Sequence, residues 1–463
     1  PLPNFSTYNF FFFKYTLFKS VTKWNAQLLT ADIAAELTQD AIRIAKGGRQ
    51  GAVQLGLMID KLNEKVNFVI SDKERYMPYS FRFTSDNANV KKVTDLLIKS
   101  RNPVILVGWG SVISRASPEI KKLAETLYIP VVSTAKAKGI MPGSSSLSLG
   151  VYKVAGLRGT DSAESIIKNA DVILAIGTSF SQISKQTYDI DSSTKIINVN
   201  IDFKDIGKIL KHHIGIIADA KTFLIQVLKE IGDRIKRNQL RLDREKLIRE
   251  IEINKTQWKE KIHLMMQNDQ TPIRPIRIYK EIQEIIEQYP ITIITSGAGN
   301  HKIFAMLYLE TEKPGRILAN LNFGCMGAGL PLAIGAKIAD RYVLKEENPV
   351  IVIEGDGGFS MSMSELLTSL HYKIPVIVCV FNDSALSTIR YIQKKYYQNR
   401  IIDTEHDEVD FASISRSMGC YSEKIQRPQD IRQGLKNALK ANKNNKTAVL
   451  DMTTYRDTPL IGK

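Results

Sequence analysis

The sequence is poor in the residues that build disulfide or metal frameworks. Its three cysteines, Cys325, Cys379 and Cys420, are widely spaced, odd in number and free of any C-x-x-C pair. That argues against a disulfide frame or a zinc site and fits a reducing, cytoplasmic setting. The six histidines are scattered, and the His212–His213 pair has no carboxylate or cysteine at ligand spacing, so a His-built metal site is not expected. Long apolar runs are missing too. Phe10 to Phe13, in "PLPNFSTYNFFFFKYTLFKS", is far too short a run to span a bilayer. The same stretch has no basic leader and no small-residue cleavage site, and reads as a packing segment or the edge of a cut; no membrane partner is expected. The formal charge is +16, yet no run of five or more basic residues and no basic stretch interleaved with aromatics occurs. The positive balance therefore reads as solvated helix faces, not as a nucleic-acid surface.

What is present is an α/β rhythm. With 463 residues, 43% of them hydrophobic, the chain can bury two or three cores. Residues 31–46 have helical spacing and "GAVQLGLMID" (51–60) reads as a buried strand. From Val90 onward, helix-like "VKKVTDLLIKS" and "SPEIKKLAETLYI" alternate with apolar "NPVILVGWG", "PVVSTA", "DVILAIG" and "KIINVNID". A second such run starts near Thr271, with a helix over 275–287, "ITIITSG", a Gly-rich segment at 324–335, "PVIVIEG", "PVIVCVFN" and a closing helix and strand near 429–453. Strands alternating with helices predict tandem doubly wound parallel sheets. The expected divisions are 1–70, a central Rossmann-like domain at 71–230, a charged helical linker at 231–270, and a last domain at 271–463.

The stretch Ile353 to Asp383, "IEGDGGFSMSMSELLTSLHYKIPVIVCVFND", concentrates the chemistry. It reads as strand, helix and strand, a βαβ crossover. Ser362 and Glu365 are expected to form a capping box for the helix, which is a structural role for Glu365. In a parallel pair, Asp356 and Asp383 both lie just past carboxyl ends, where open α/β sheets bind ligands. If the strands are adjacent, about 4.8 Å apart, both carboxylates reach one ion. Mg²⁺ suits such a site, because it takes one or two carboxylates and completes its octahedron with water and phosphate oxygens. Gly357 and Gly358 allow close approach of a phosphate group. The plain alternative, two ordinary turn residues, is the weaker reading once the second acid follows the crossover strand. "VGWGSVI" suggests a nicotinamide oxidoreductase, but Ile113 stands where the third Gly of G-x-G-x-x-G belongs.

G-D-G, a helix, a strand and an Asn-containing turn resemble the fingerprint of thiamine-diphosphate enzymes, and among them the acetolactate synthase-like group. "RNPVILVGWGSVISRASPEIKKLAETLYIPVVSTAKAKG" and "NADVILAIGTSF…KIINVNIDFKDIGK" are similar to that family's middle domain, and "FGCMGAGLPLAIGAKIA" to its G-x-MG-x-GLP-AIGA segment. "SVTKWNAQL" and "AIRIAKGGRQGAVQLGLMID" resemble the tail of its first domain, so 1–70 is expected to be a remnant of the pyrimidine-binding domain. A fragment, a split-gene subunit and a degenerate copy all fit that expectation. The resemblance implies thiamine diphosphate and Mg²⁺ as cofactors and a 2-oxo acid such as pyruvate as substrate. It implies carboligase or decarboxylase activity, a place in branched-chain amino acid biosynthesis, and a homo-oligomer or pairing with a subunit that bears the first domain.

By the same resemblance, the metal ligands are Asp356, Asp383 and the main-chain carbonyl of Ala385. Gly299, Asn300 and His301 in "SGAGNH", together with Gly355, Gly357 and Gly358, approach the diphosphate. Met326 props the cofactor and Met361 lines the same pocket; from residue type alone, both methionines read as core filling. The family usually has Asn where Asp383 stands; the added charge either holds the ion more tightly or repels the diphosphate. Cys325 reads as core, not as a nucleophile. The Glu that relatives use to activate the aminopyrimidine finds no match; Glu36 and Asp40 read as a solvated helix face, and no catalytic residue is assigned. The alternative function is therefore a non-catalytic or incomplete cofactor-binding subunit. Gln50, Ala52 and Met58 replace prolines that the family favours. "GTSFSQIS" lacks the Arg-rich run of FAD-binding relatives, which argues against FAD.

Overall fold

Val- and Ile-rich runs too short for helices, closed by glycine or polar turns, become strands wherever helices can cover both of their faces. The computed structural model describes residues 16–67, 82–180, 188–289, 291–295 and 298–459, and among them places three parallel sheets. Phe10 to Phe13, most of the polar stretch near 71–86 and part of "GTSFSQIS" lie outside the described residues.

The first sheet pairs β1 (Trp24–Leu28) with β2 (Val53–Leu57) through the helix Ala34–Lys46. The strand expected at 51–60 is present but not buried; its residues are half-covered and Leu57 is 47% exposed. Two strands with one helix cannot cover both of their own faces.

The second sheet contains β3 (Pro103–Val107), β4 (Val131–Ser133), β5 (Ser148–Val151), β6 (Val172–Ile176), β7 (Lys195–Asn200) and β8 (Ile214–Ile217). Their order, β5-β4-β3-β6-β7-β8, is that of a dinucleotide-binding doubly wound sheet. The edge strands β5 and β8 escape a reading of the sequence. "SLGV" and "IGII" are short, glycine-containing and only alternately buried, so neither gives a continuous apolar run. The glycines of "VGWG" serve packing. A Cβ at Gly108 would fall 2.3 Å from the Gly177 carbonyl, so the turns after β3 and β6 meet backbone to backbone.

The third sheet contains β9 (Thr292–Thr295), β10 (Ile317–Ala319), β11 (Val350–Gly355), β12 (Ile377–Asn382), β13 (Tyr421–Ile425) and β14 (Ala448–Thr453), ordered β10-β9-β11-β12-β14-β13. The chain winds one way from β9 and the other way from β11. The crevice beyond their carboxyl ends is a topological switch point. Between the two large sheets run the helices Ala220–Lys236 and Glu245–Met266. The second is more than a solvated linker, because Leu247 and Ile251 join the core of the second sheet while Ile262 joins that of the third.

A second local expectation fails. The helix after β11 begins at Asp356 itself, runs to Ser362, and is followed by a separate helix Glu365–His371. The capping box does not form: among the described residues Ser362 Oγ is buried without a partner, and Glu365 instead accepts the Thr368 hydroxyl at 2.8 Å. The glycine turn starts the helix at once, which places Ser362 at its end, where no free N–H groups remain for it to cap.

Candidate active site

Three turns meet at the switch point: 298–301 after β9, 355–358 after β11 and 383–388 after β12. β11 and β12 are neighbours in parallel register, with Gly355 opposite Phe381, so Asp356 and Asp383 leave adjacent strand ends together. Asp356 is 3% exposed, and its carboxylate organises the turns. Its Oδ1 accepts the Gly357 N–H at 2.7 Å, and its Oδ2 accepts the N–H groups of Asp383 at 3.1 Å and Ser384 at 2.7 Å. His406 Nε2 stands 3.5 Å from the same Oδ2. Asp383 in turn accepts the Ser387 hydroxyl at 2.5 Å.

Ala385 is held in an antiparallel bridge opposite Glu405. The bonds that make the bridge are Leu386 N–H to Thr404 O at 2.7 Å and His406 N–H to Ser384 O at 3.1 Å. In a pair of this kind the central residue's own groups point away from the opposite strand. The Ala385 carbonyl is thus turned away from Glu405, in a residue only 4% exposed, and accepts no hydrogen bond among the described residues. A buried carbonyl without a donor is what a cation ligand looks like before the cation is added.

The turns enclose a cavity of about 420 Å³. Gly299, Asn300, His301, Met326, Gly355, Asp356, Gly357, Gly358, Asp383 and Ala385 all line it. Met361 does not: it is 65% exposed and packs against Gly327, where a Cβ would come within 3.0 Å of its own Cβ. Cys325 was expected in the core, but it is exposed and its Sγ accepts the Asn320 amide at 3.0 Å. It precedes the Met326–Gly327 turn and lies outside the helix Gly329–Ile338 that carries the apolar face. Glu36 is exposed and Asp40 is taken by Arg43 at 2.7 Å; neither lines the cavity.

Glycine is required at one of these positions and eases the packing at a second. Gly299 has φ +93°, and a Cβ there would strike the His301 ring at 2.5 Å. At Gly357 a Cβ would approach Met326 Cε and Leu386 Cδ2 to 3.2 Å each and narrow the floor. Two helices open on the cavity at their positive ends, Asn300–Tyr308 and Ser387–Tyr396, and the Thr388 hydroxyl joins them by donating to Asn300 Oδ1 at 2.6 Å. The N–H groups of their first turns favour an anion beside the place where the carboxylates favour a cation.

Burial sets the charges. It holds the His301 imidazole neutral, pushed down to about 3, with Lys302 adding repulsion. Burial also raises Asp356 above the usual carboxylate range despite its N–H donors and His406. Asp383 is pushed up to about 7, first by burial and then by the Asp356 charge. Two carboxylates that resist ionisation side by side create a demand for positive charge. The resulting site has hard oxygen ligands for a divalent cation, N–H groups for a phosphate-bearing anion, and an apolar wall that includes Tyr391, Ile392 and Leu157.

Thr388, His406, Glu405 and Arg456 belong to this site and were not anticipated. Ser387-Thr388 after an Asn-Asp turn is a helix-start signal that could have pointed to Thr388. Nothing in the sequence around His406 or Arg456 signals a return to the β12 turn.

Residues 90–227 match the family described as thiamine pyrophosphate enzyme, central domain, and residues 297–452 match thiamine pyrophosphate enzyme, C-terminal TPP binding domain. The chain is 34% identical over 438 residues to a probable acetolactate synthase large subunit of Methanocaldococcus jannaschii, covering 92% of this chain and 71% of that protein. A protein of the same description from Methanococcus aeolicus is 32% identical, covering 91% and 71%. The acetolactate synthase isozyme 3 large subunit of Escherichia coli is 28% identical, covering 92% and 72%.

Proposed function

The chain belongs to the thiamine pyrophosphate enzymes, in the group of acetolactate synthase large subunits, and from that membership we propose that its crevice holds thiamine diphosphate through Mg²⁺ and acts on a 2-oxo acid. The observation that carries the reading is the convergence on one cavity of Asp356, Asp383 and Ala385, whose carbonyl accepts no hydrogen bond among the described residues. Mg²⁺ accepts one or two carboxylates and a carbonyl, and leaves positions for diphosphate oxygens. The N-termini at Asn300 and Ser387 compensate the remaining diphosphate charge.

In this reading each residue of the chain has a physical task. Asp356 supplies one oxygen to the ion while its N–H partners keep the carboxylate from rotating. Asp383 supplies a second oxygen, and its charge is needed only once the ion is present. Gly357 keeps the floor low, and the Met326 side chain that meets it supports the apolar part of the cofactor. The neutral His301 packs against Gly299 and adds no positive charge to the cavity. The electron sink for breaking and making the bond next to a ketone carbon is supplied by thiamine diphosphate when it is bound. Tyr391, Ile392 and Leu157 would limit water in the part of the cavity that they line.

The test is calorimetric titration of the full chain with thiamine diphosphate, with Mg²⁺ and with chelator. Binding should require the ion, and Asp356→Ala should weaken it by about 100-fold or more, since even an outer partner of a ligand is worth roughly 10–100-fold. Unchanged affinity in chelator, or in Asp356→Ala, would refute the assignment. Pyruvate turnover to acetolactate or acetaldehyde then tests the substrate class.

A further inference from the structure

The turn that bears two of the three expected ligands does not hold its shape by itself. It runs from Asp383 to Leu386, and Ser384 inside it has φ +52°, a left-handed conformation that is unfavourable for a non-glycine residue. Such a residue persists only where its surroundings over-determine it. Three sets of contacts do so here. Asp356 Oδ2 takes the N–H groups of Asp383 and Ser384. The segment 404–406 pairs with Ser384 and Leu386 through the bridge at Ala385. The third is Arg456, from the chain just past β14.

Arg456 touches both of the segments that the bridge joins. Its Nε donates to the Asp383 carbonyl at 3.1 Å, and its guanidinium pairs with Glu405 at 3.1 Å. Glu405 is also bound by Arg390, on the helix that follows the turn, and Arg390 reaches Asp457 at 3.1 Å. His406, next to Glu405, stands against Asp356. One guanidinium thus fastens the ligand turn to the segment that pairs across Ala385 and sets His406 3.5 Å from the Asp356 carboxylate, and it does so from the cavity wall.

Resting on the reading of this crevice as an ion site, we infer that Arg456 is a positioning residue for the ion: it latches the 404–406 segment onto the Asp383–Leu386 turn and so presents Asp356, Asp383 and Ala385 as a preformed ligand set. The planar guanidinium is suited to this because its fixed fork presents separate N–H donors to two acceptors at once, a backbone carbonyl and a carboxylate; a lysine ammonium carries its donors on one flexible point and holds the two less rigidly.

The experiment measures Mn²⁺ affinity by the loss of free-ion electron paramagnetic resonance signal in the full chain with thiamine diphosphate. It compares the unaltered chain with Arg456→Gln, Arg456→Lys, Glu405→Gln and Asp356→Ala, and records the thermal midpoint of each ion-free protein. Arg456→Gln and Glu405→Gln should weaken Mn²⁺ binding by roughly 10–100-fold, the range for outer partners of metal ligands. Arg456→Lys should recover only part of the loss, and the bound Mn²⁺ spectrum should broaden in the Gln variants as the ligand set becomes heterogeneous. Affinity within twofold of the unaltered chain in both Gln variants overturns the inference. So does a drop in thermal midpoint without a change in the affinity of the folded protein, which would make the latch merely structural. If the unaltered chain binds no Mn²⁺, or Asp356→Ala binds it as well, the ion-site reading falls and the inference falls with it. Binding abolished in Asp356→Ala but indifferent to Arg456 and Glu405 overturns the positioning role alone.

Discussion

The Thr388 hydroxyl donates to Asn300 Oδ1 across 2.6 Å, and these two residues lie 88 positions apart. The bond ties the first turn of the helix after β12 to the first turn of the helix after β9. It fixes the distance between the two positive helix ends that face the cavity.

Thr388→Val keeps the shape and removes the donor. The folded chain should lose about 1 kcal/mol, the usual net value of one such bond. Thiamine diphosphate affinity should fall by up to about tenfold as the two helix ends drift. Urea denaturation and calorimetric titration measure the two effects; a variant unchanged in both would show that the bond positions nothing.

Asp383→Asn keeps an oxygen and removes a charge that burial and Asp356 both oppose. The ion-free chain should gain stability at mildly alkaline pH, on the order of 1–3 kcal/mol. Mn²⁺ affinity should fall by about tenfold, because an anionic ligand has become a neutral one. A lower thermal midpoint for Asp383→Asn would mean that Ser387 and the neighbouring N–H groups repay the buried charge in full.

Gly299→Ala combines a left-handed φ of +93° with a Cβ placed 2.5 Å from the His301 ring. Gly315→Ala is the matched control, since Gly315 has φ +78° but no atom within 4 Å of its would-be Cβ. The control should lose about 1 kcal/mol for the backbone alone. Gly299→Ala should lose about 2 kcal/mol or more, with weakened cofactor binding. Equal losses in chemical denaturation would show that the His301 ring moves aside at little cost.

His301 contributes to the pH dependence of stability. Its imidazole is held down to about 3 in the folded chain, by burial first and Lys302 second, against an ordinary 6.5. As pH falls below 6.5, the unfolded chain takes up a proton that the folded chain refuses until about 3. The stability associated with the neutral ring is therefore complete above 6.5 and is lost between 6.5 and 3, at about 1.4 kcal/mol for each pH unit. Urea midpoints for His301→Gln should vary less with pH across this window than those of the unaltered chain. Parallel curves would mean that the folded ring titrates normally.

The α/β class, the parallel sheets and the pairing of Asp356 with Asp383 were legible in the sequence for a definite reason. β11 and β12 are buried on both faces, so they are written as unbroken apolar runs, and each stops at the residue that begins the site. Local periodicity and turn chemistry determine that much. The edge strands β5 and β8 were not legible, because an edge needs neither length nor continuous apolarity. The capping box was read where none forms, because two helices divide a stretch that the sequence presents as one. Met361 and Cys325 were misplaced for the same kind of reason: residue type gives a preference for burial, and only packing decides whether a neighbour provides it. Most of the site's support was beyond the sequence altogether. Thr404, Glu405 and His406 approach Ser384 and Leu386, and Arg456 approaches Asp383, through contacts made across 18 to 73 residues of chain. No periodicity records which loop will cross another's path. The sequence by itself determined which residues could bind an ion and a phosphate group; the tertiary structure decided which oxygens face the cavity, because it alone sets how one loop constrains the backbone of another.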